Sequence, residues 1–250
     1  MNYGPLLFEL VLRDIKIKYR RSILGVLWTV LNPLLMMMIL WMVFSHLFRF
    51  DIQNYPIYLL CGQVIFNFFQ SATTDAMMSI VGNAGLIRKV YIPKYLFVLA
   101  KILSGTVNLA ASFLALLVVM VITGTKIRWT ILLTIFPILL LLILSTGMGL
   151  LLAALTVKFR DILHLYSVFC TGLFYLTPVI YPITILPGRI RWLVRINPLT
   201  RILEIFRAMV IEGTPGTMDA FSGAMIFSVA VVVIGYHVFK KREDYFIMDI

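Results

Sequence analysis

Residues 25–47, GVLWTVLNPLLMMMILWMVFSHL, contain no Asp, Glu, Lys or Arg. About 20 apolar residues at ~1.5 Å rise each cover the ~30 Å hydrocarbon layer of a bilayer. Directly before them lies 5–21, PLLFELVLRDIKIKYRR, which carries Glu9, Arg13, Asp14, Lys16, Lys18, Arg20 and Arg21. Leu7, Val11 and Ile15 form one helical stripe, joined by Phe8, Leu12 and Tyr19, while Glu9, Arg13, Lys16 and Arg20 fall on another face. The pair predicts an amphipathic helix lying flat at a membrane surface and feeding a helix that crosses. On pattern alone the first helix is either a surface anchor or, in addition, a face that binds a cytosolic partner.

Composition extends this to the whole chain. Of 250 residues, 61% are hydrophobic and 13% charged, and the mean hydropathy is +0.99. Soluble domains run about 45–50% apolar and about 25% charged. The expectation is an all-α polytopic membrane protein forming a single domain over 1–250. The net charge of +11 fits basic loops facing anionic headgroups; with no folded basic module, nucleic acid is not an expected partner. Cys61 and Cys170 sit in apolar runs without metal or redox spacing and read as small buried hydrophobes. The first apolar run is too long, and its flank too poor in small residues, for a cleaved signal peptide.

Freedom from charge marks six spans: 26–48, 55–74, 97–123, 130–156, 163–182 and 218–239. Lys101, inside the third, is expected to snorkel to the interface. With both termini cytosolic, fourteen Lys and Arg lie inside and eight outside, the bias that the positive-inside rule favours. Five of the outer cations belong to 183–213, ITILPGRIRWLVRINPLTRILEIFRAMVIEG. Pro187-Gly188 opens this stretch, Asn197-Pro198 breaks it and Gly213 closes it. It predicts two half-helices, about 189–196 and 199–211, re-entering the outer leaflet. Arg201, Glu204 and Arg207 share a face at i, i+3, i+6 and could pair along it. Its arginines either snorkel and pair locally or form an outer gate that meets phosphate or acidic sugars.

Residues 82–94, GNAGLIRKVYIPK, form a loop with a Gly-rich entry, a short mixed helix and a Pro stop. Aromatics are plentiful in the spans, among them Trp28, Phe44, Tyr166, Phe169, Phe174 and Tyr175. They suit either packing and interface belts or a pore whose faces slide against sugar rings. There is no phosphate-binding Gly-x-x-x-x-Gly-Lys-Ser/Thr, no His-Glu-x-x-His and no paired acidic motif for Mg²⁺. His46, His164 and His237 are scattered near span ends and read as interfacial polar residues. The chain is expected to hold no catalytic residue, metal or cofactor of its own.

Five stretches together resemble the permease subunits of type-2 ABC exporters, most closely those of lipid-linked polysaccharide: O-antigen, capsule and teichoic acid. They are Tyr19-Arg20-Arg21-Ser22-Ile23-Leu24-Gly25-Val26-Leu27-Trp28 running on to Asn32-Pro33, Leu86-Ile87-Arg88-Lys89-Val90-Tyr91-Ile92-Pro93, Phe159-Arg160-Asp161-Ile162, Thr177-Pro178-Val179-Ile180-Tyr181 and Ile196-Asn197-Pro198-Leu199. Gly85 departs from the family, which often has Asn there. The resemblance implies a six-span homodimer bound to two copies of an ABC ATP-binding subunit, which supplies ATP and Mg²⁺. Residues 5–21 would be the interface helix and 83–93 the coupling loop. Arg13, Lys16, Asn83, Leu86, Ile87, Arg88, Lys89 and Tyr91 would contact the ATPase. Arg20 and Arg21 would flank the entrance for a polyprenyl-diphosphate-linked glycan. Trp28, Asn32, Phe44, Tyr166, Phe169, Phe174 and Tyr175 would line the channel. Arg189, Arg191, Arg201, Glu204 and Arg207 would belong to the outer gate. An ABC exporter of drugs or other lipids, or a multi-span isoprenoid-lipid enzyme, are the alternatives; the enzyme would need an acidic cluster, and only Asp75 and Asp161 lie near the inner surface.

Overall fold

The computed structural model describes residues 3–19, 25, 27–47, 52 and 54–246, with backbone alone at 46 and 47. Among the described residues there are ten α-helices and no strand: α1 Gly4–Tyr19, α2 Leu27–Leu47, α3 Tyr55–Met77, α4 Ala84–Ile87, α5 Tyr95–Ile122, α6 Ile135–Thr156, α7 Ile162–Leu176, α8 Gly188–Ile196, α9 Pro198–Arg207 and α10 Met218–Arg242. Short 3-10 turns occupy Val81–Asn83, Trp129–Thr134, Ile183–Ile185 and Glu243–Tyr245, and a π-helical turn, Ala208–Glu212, continues α9. The protein is an all-α, multi-pass membrane protein.

Among the described residues, four segments are long and apolar enough to cross a bilayer: Leu27–Ser45, Tyr95–Ile122, Trp129–Thr156 and Met218–Tyr245. The helix α3 has the length but carries Gln63, Asn67, Gln70, Thr73 and Thr74. Gln63 and Thr73 are sheltered because α3 is the centre of the bundle, packing against α2, α5, α6, α7 and α9, with Ile57, Leu59, Leu60, Cys61 and Ile65 fully enclosed. Both cysteines are free and buried, as small hydrophobes. The 15 residues of α7 span only about 22 Å, short of the layer. The predicted fifth span, 163–182, therefore stops early: Thr177–Pro182 leaves the helix because Pro178 disfavours helical geometry at Thr177, which sits at φ −103°, ψ 128°.

The chain packs in two ends. The N-termini of α3, α6 and α10 and the C-termini of α5 and α7 meet at one, the hairpin end; α4, the described ends Tyr3 and Phe246, and the C-termini of α3, α6 and α10 meet at the other, the terminal end. At the hairpin end, α9 is no peripheral flap. Ile202, Leu203, Ile205 and Phe206 are fully buried, wedged among α3, α6 and α10.

At the terminal end, α1 leans on α5 rather than lying flat. Tyr3 shares a cavity wall with Tyr95, Asp14 meets Lys101 at 3.1 Å, and the Tyr19 hydroxyl donates to the Asn108 side chain. These contacts climb the first half of α5. The face turned inward holds Leu6, Leu7, Leu10, Val11 and Asp14, and Phe8, expected on the apolar stripe, is exposed. Lys101 does not snorkel: its ammonium pairs with buried Asp14, whose other oxygen takes Arg13 at 3.0 Å. The chain returns to the same place, where Lys94 Nζ donates to the Glu243 carbonyl at 2.7 Å and Phe246 packs edge-on against Phe239.

The closest helix pair is α6 and α10, crossing where small residues remove the side chains between them. A Cβ at Gly235 would strike the Gly147 carbonyl, and one at Gly147 would meet the backbone of Val231 and Val232. In lipid, where apolar burial gives helices no net drive to associate, such close approach and the packing it permits hold them together. Gly147→Val is expected to separate these helices and lower apparent stability by about 3 kcal/mol; thermal denaturation in detergent measures it. Gly172→Ala, where a Cβ meets open space, should not lower it.

Candidate functional site

The break after α7 exposes a backbone problem. Thr177–Tyr181 presents carbonyls that no helix satisfies, and Thr177–Ile180 is buried, out of reach of bulk water. Side chains from two other elements supply the donors. On α9, the Arg207 Nη1 donates to the Pro178 carbonyl at 2.6 Å, and Nη2 donates to Val179 at 2.8 Å and to Tyr58 at 3.1 Å. On α3, the Tyr55 hydroxyl donates to the Ile180 carbonyl at 2.7 Å and Tyr58 to Tyr181 at 2.9 Å. Asn197 donates to the Thr177 hydroxyl at 3.0 Å. Gly62 gives this segment room: a Cβ there would press on Val179.

Arg207 is buried, 8% exposed, and among the described residues no carboxylate lies within 4 Å of it. Three carbonyl dipoles and the Tyr58 ring, 3.4 Å from the guanidinium carbon, balance the charge instead. The other arginines of this end follow suit. Arg191 Nη2 donates to the Thr184 and Leu186 carbonyls, both at 2.8 Å. Arg201 Nε donates to Arg195 O, and its Nη1 to Asp219 O, each at 2.9 Å. Arg128 donates to the Glu212 carbonyl. The expected pairing of Arg201 and Arg207 with Glu204 is thus not made among the described residues. Arg201 instead reaches Asp219 at the start of α10, 3.4 Å away. Chain breaks at 187–188 and 197–198 leave open carbonyl ends, and a planar five-donor guanidinium fits several at once. Burial pushes the half-buried Glu204 carboxyl above its ordinary range, opposed by Arg195, Arg201 and Arg207. Arg189 is exposed.

The channel candidates divide into two sets. Trp28 and Asn32 on α2, and Phe169 and Tyr175 on α7, are exposed, while Phe44 is half-buried. Tyr166 is buried, its hydroxyl 2.6 Å from that of Thr73, and Phe174 packs edge-on against Phe66 at 5.1 Å; both serve the chain's own interior. One signal was missed. On α3, which both α2 and α7 touch, Asn67 and Thr74 are exposed and Gln70 and Ser71 half-exposed. Positions i, i+3, i+4 and i+7 make one helical face, so a polar stripe was visible in the spacing.

At the terminal end, Val81–Ile87 makes two tight turns. Asn83 donates to the Ser79 carbonyl at 2.7 Å, Ile87 is buried and Leu86 half-buried, whereas Arg88 and Lys89 are exposed. Tyr91 is 98% exposed. Lys16 is exposed on α1, while Arg13 is held by Asp14. Arg20 and Arg21, the expected entrance residues, lie outside the described residues.

Removing the guanidinium strands the buried Pro178 and Val179 carbonyls. Arg207→Gln is expected to cost about 3–5 kcal/mol of apparent stability, read as an earlier thermal transition in detergent. Arg207→Lys, which keeps the charge but not the fork, should recover less than half.

Comparison with known proteins gives a consistent picture. The sequence profile of the ABC-2 type transporter family matches residues 5–211. An O-antigen export system permease, RfbA of Myxococcus xanthus, is 29% identical over 98% of this chain and 95% of the relative. RfbA of Klebsiella pneumoniae is 26% identical over 97% and 95%. The polysialic acid transport protein KpsM of Escherichia coli is 24% identical over 94% and 92%. With more than half of its length matched by that profile, this chain belongs to the ABC-2 type transporter family.

Proposed function

We propose that this chain is the channel-forming permease of an ATP-driven exporter that moves a polyprenyl-diphosphate-linked polysaccharide across the cytoplasmic membrane. The observation that carries this reading is the end-to-end match to O-antigen and polysialic acid export permeases. A shared domain inside otherwise different proteins would leave part of either chain uncovered.

The permease works as a homodimer with both termini cytosolic, and each copy rests on one ABC ATP-binding subunit, which binds ATP and Mg²⁺. Exposed Trp28, Asn32, Phe169 and Tyr175 on α2 and α7 face the partner copy across a channel. The polar stripe Asn67, Gln70, Ser71 and Thr74 supports this placement, since exposed amides and hydroxyls at mid-helix are poorly suited to lipid. Aromatic faces contact successive sugar rings with little dependence on their identity. Arg20 and Arg21 steer the diphosphate to the entrance. The α8–α9 hairpin closes the far side; Arg191, Arg201 and Arg207 hold its shape, and Arg189 and Glu204 are left to meet the emerging polymer.

The fully solvated Tyr91 ring, with exposed Lys89 two residues before it, is the seat of the ATPase on this chain. Ile87, buried one turn earlier, carries the motion into the bundle. Tyr91→Ala combined with Arg88→Glu is expected to reduce co-purification of the ATP-binding subunit about tenfold. The permease's own thermal transition should stay within about 0.5 kcal/mol, the usual range for surface changes. Full stoichiometric recovery of the subunit would sink the docking assignment. Replacing Arg20 and Arg21 together by Gln should lower glycan export while leaving that assembly intact; a cell-surface polysaccharide assay with wild-type output would remove them from the entrance.

A further inference from the structure

Where α6 and α10 end together, Lys158, His237, Lys241 and Arg242 surround a cavity of about 630 Å³, with Tyr245 and Phe246 forming an apolar wall. Among the described residues, no acidic residue lines it. The neighbouring Lys240 is neutralised by Glu243 at 3.2 Å, and the Glu243 carbonyl is taken by Lys94. Among the described residues, Lys158, Lys241 and Arg242 have no carboxylate within 4 Å.

Basic residues at helix C-termini ordinarily complement the helix dipole and reach water. That accounts for the exposed Lys158 and Lys241. It does not account for the convergence of Lys158, Lys241 and Arg242 on one cavity, where like charges repel. An anion with several acceptor oxygens would meet all three.

Its size and address narrow the choice. The volume falls in the range of ligand pockets and exceeds what a free phosphate needs. The cavity sits at the membrane-boundary end of α10, whose outer face exposes Val229, Val233 and Ile234. This helix is at the edge of the bundle, packing chiefly on α6 and α9. A lipid can therefore slide in sideways, its chains along α10 and its head among the cations.

We propose that this cavity binds the phosphate headgroup of a membrane lipid. Two lipids share that chemistry: an anionic glycerophospholipid of the surrounding leaflet and a polyprenyl diphosphate. The site does not rest on the export reading, since its occupancy is measured without transport.

The test uses the full chain in a neutral detergent, titrated with phosphatidylglycerol, geranylgeranyl diphosphate, inorganic phosphate and phosphate-free diacylglycerol. Native mass spectrometry counts adducts and a thermal shift follows binding. Saturable phosphatidylglycerol or diphosphate binding is expected, weakened at least tenfold in the combined Lys158→Gln, Lys241→Gln, Arg242→Gln variant, with no saturable diacylglycerol adduct. Lys241→Gln alone, at an exposed position, should weaken it about threefold if the combined variant fails to fold. Tighter phosphatidylglycerol assigns the site to bulk lipid; tighter diphosphate assigns it to the polyprenyl lipid. Equal affinity in wild type and variants, equal binding of diacylglycerol, or binding of inorganic phosphate with no lipid at all overturns the proposal.

Discussion

A helix that ends inside a membrane leaves carbonyls with nowhere to go, and the bundle is arranged around satisfying those of Thr177–Tyr181. Arg207 can reach Pro178 and Val179 only if α9 is drawn deep among α3, α6 and α10. That in turn requires the chain to re-enter as a hairpin instead of crossing. Tyr55 and Tyr58 can close the remaining carbonyls only if the start of α3 lies against the break, which Gly62 allows. The polarity of α3 follows: a helix enclosed on most sides can carry Gln63 and Thr73, and its one uncovered face can be polar where water or a partner waits.

The two ends of the molecule use the same residue type for opposite purposes. At the hairpin end Arg128, Arg191, Arg201 and Arg207 are spent on backbone carbonyls, and the positive charge there is largely structural. At the terminal end Lys89, Lys158 and Lys241 stay exposed, with their charge turned to the surface. The positive charge is therefore structural at one end and surface-facing at the other.

The sequence made the architecture legible wherever the signal was local. The ends of α2, the hairpin's two halves and the early loops follow from charge-free runs and from Pro187, Asn197-Pro198 and Gly213, because these residues act on their own backbone. Thr177-Pro178 was equally visible, yet the helix stops there and not at Pro182, since the first proline already forces the exit. The site was less legible because its contacts are long-range. Spacing along α9 suggested that Arg207 would meet Glu204, and nothing in the spacing points to Pro178, 29 residues away. Asp14 and Lys101 are likewise joined only by the leaning of α1 on α5. The exposed stripe of Asn67 and Thr74 was readable at helical spacing, but an apolar-run criterion passes over it.

The last helix is fastened at both extremities. Its base is tied to the entry of α5 through Glu243 and Lys94, directly after the Tyr91 loop, and its top to the hairpin through Asp219 and Arg201. Between these points its 25 residues form a rod about 38 Å long, seated along α6 at the Gly147–Gly235 crossing as on a fulcrum. A small tilt imposed at the base moves the top in the opposite sense. A push on the Tyr91 loop can then arrive at the hairpin end by leverage, with no rearrangement of the bundle between.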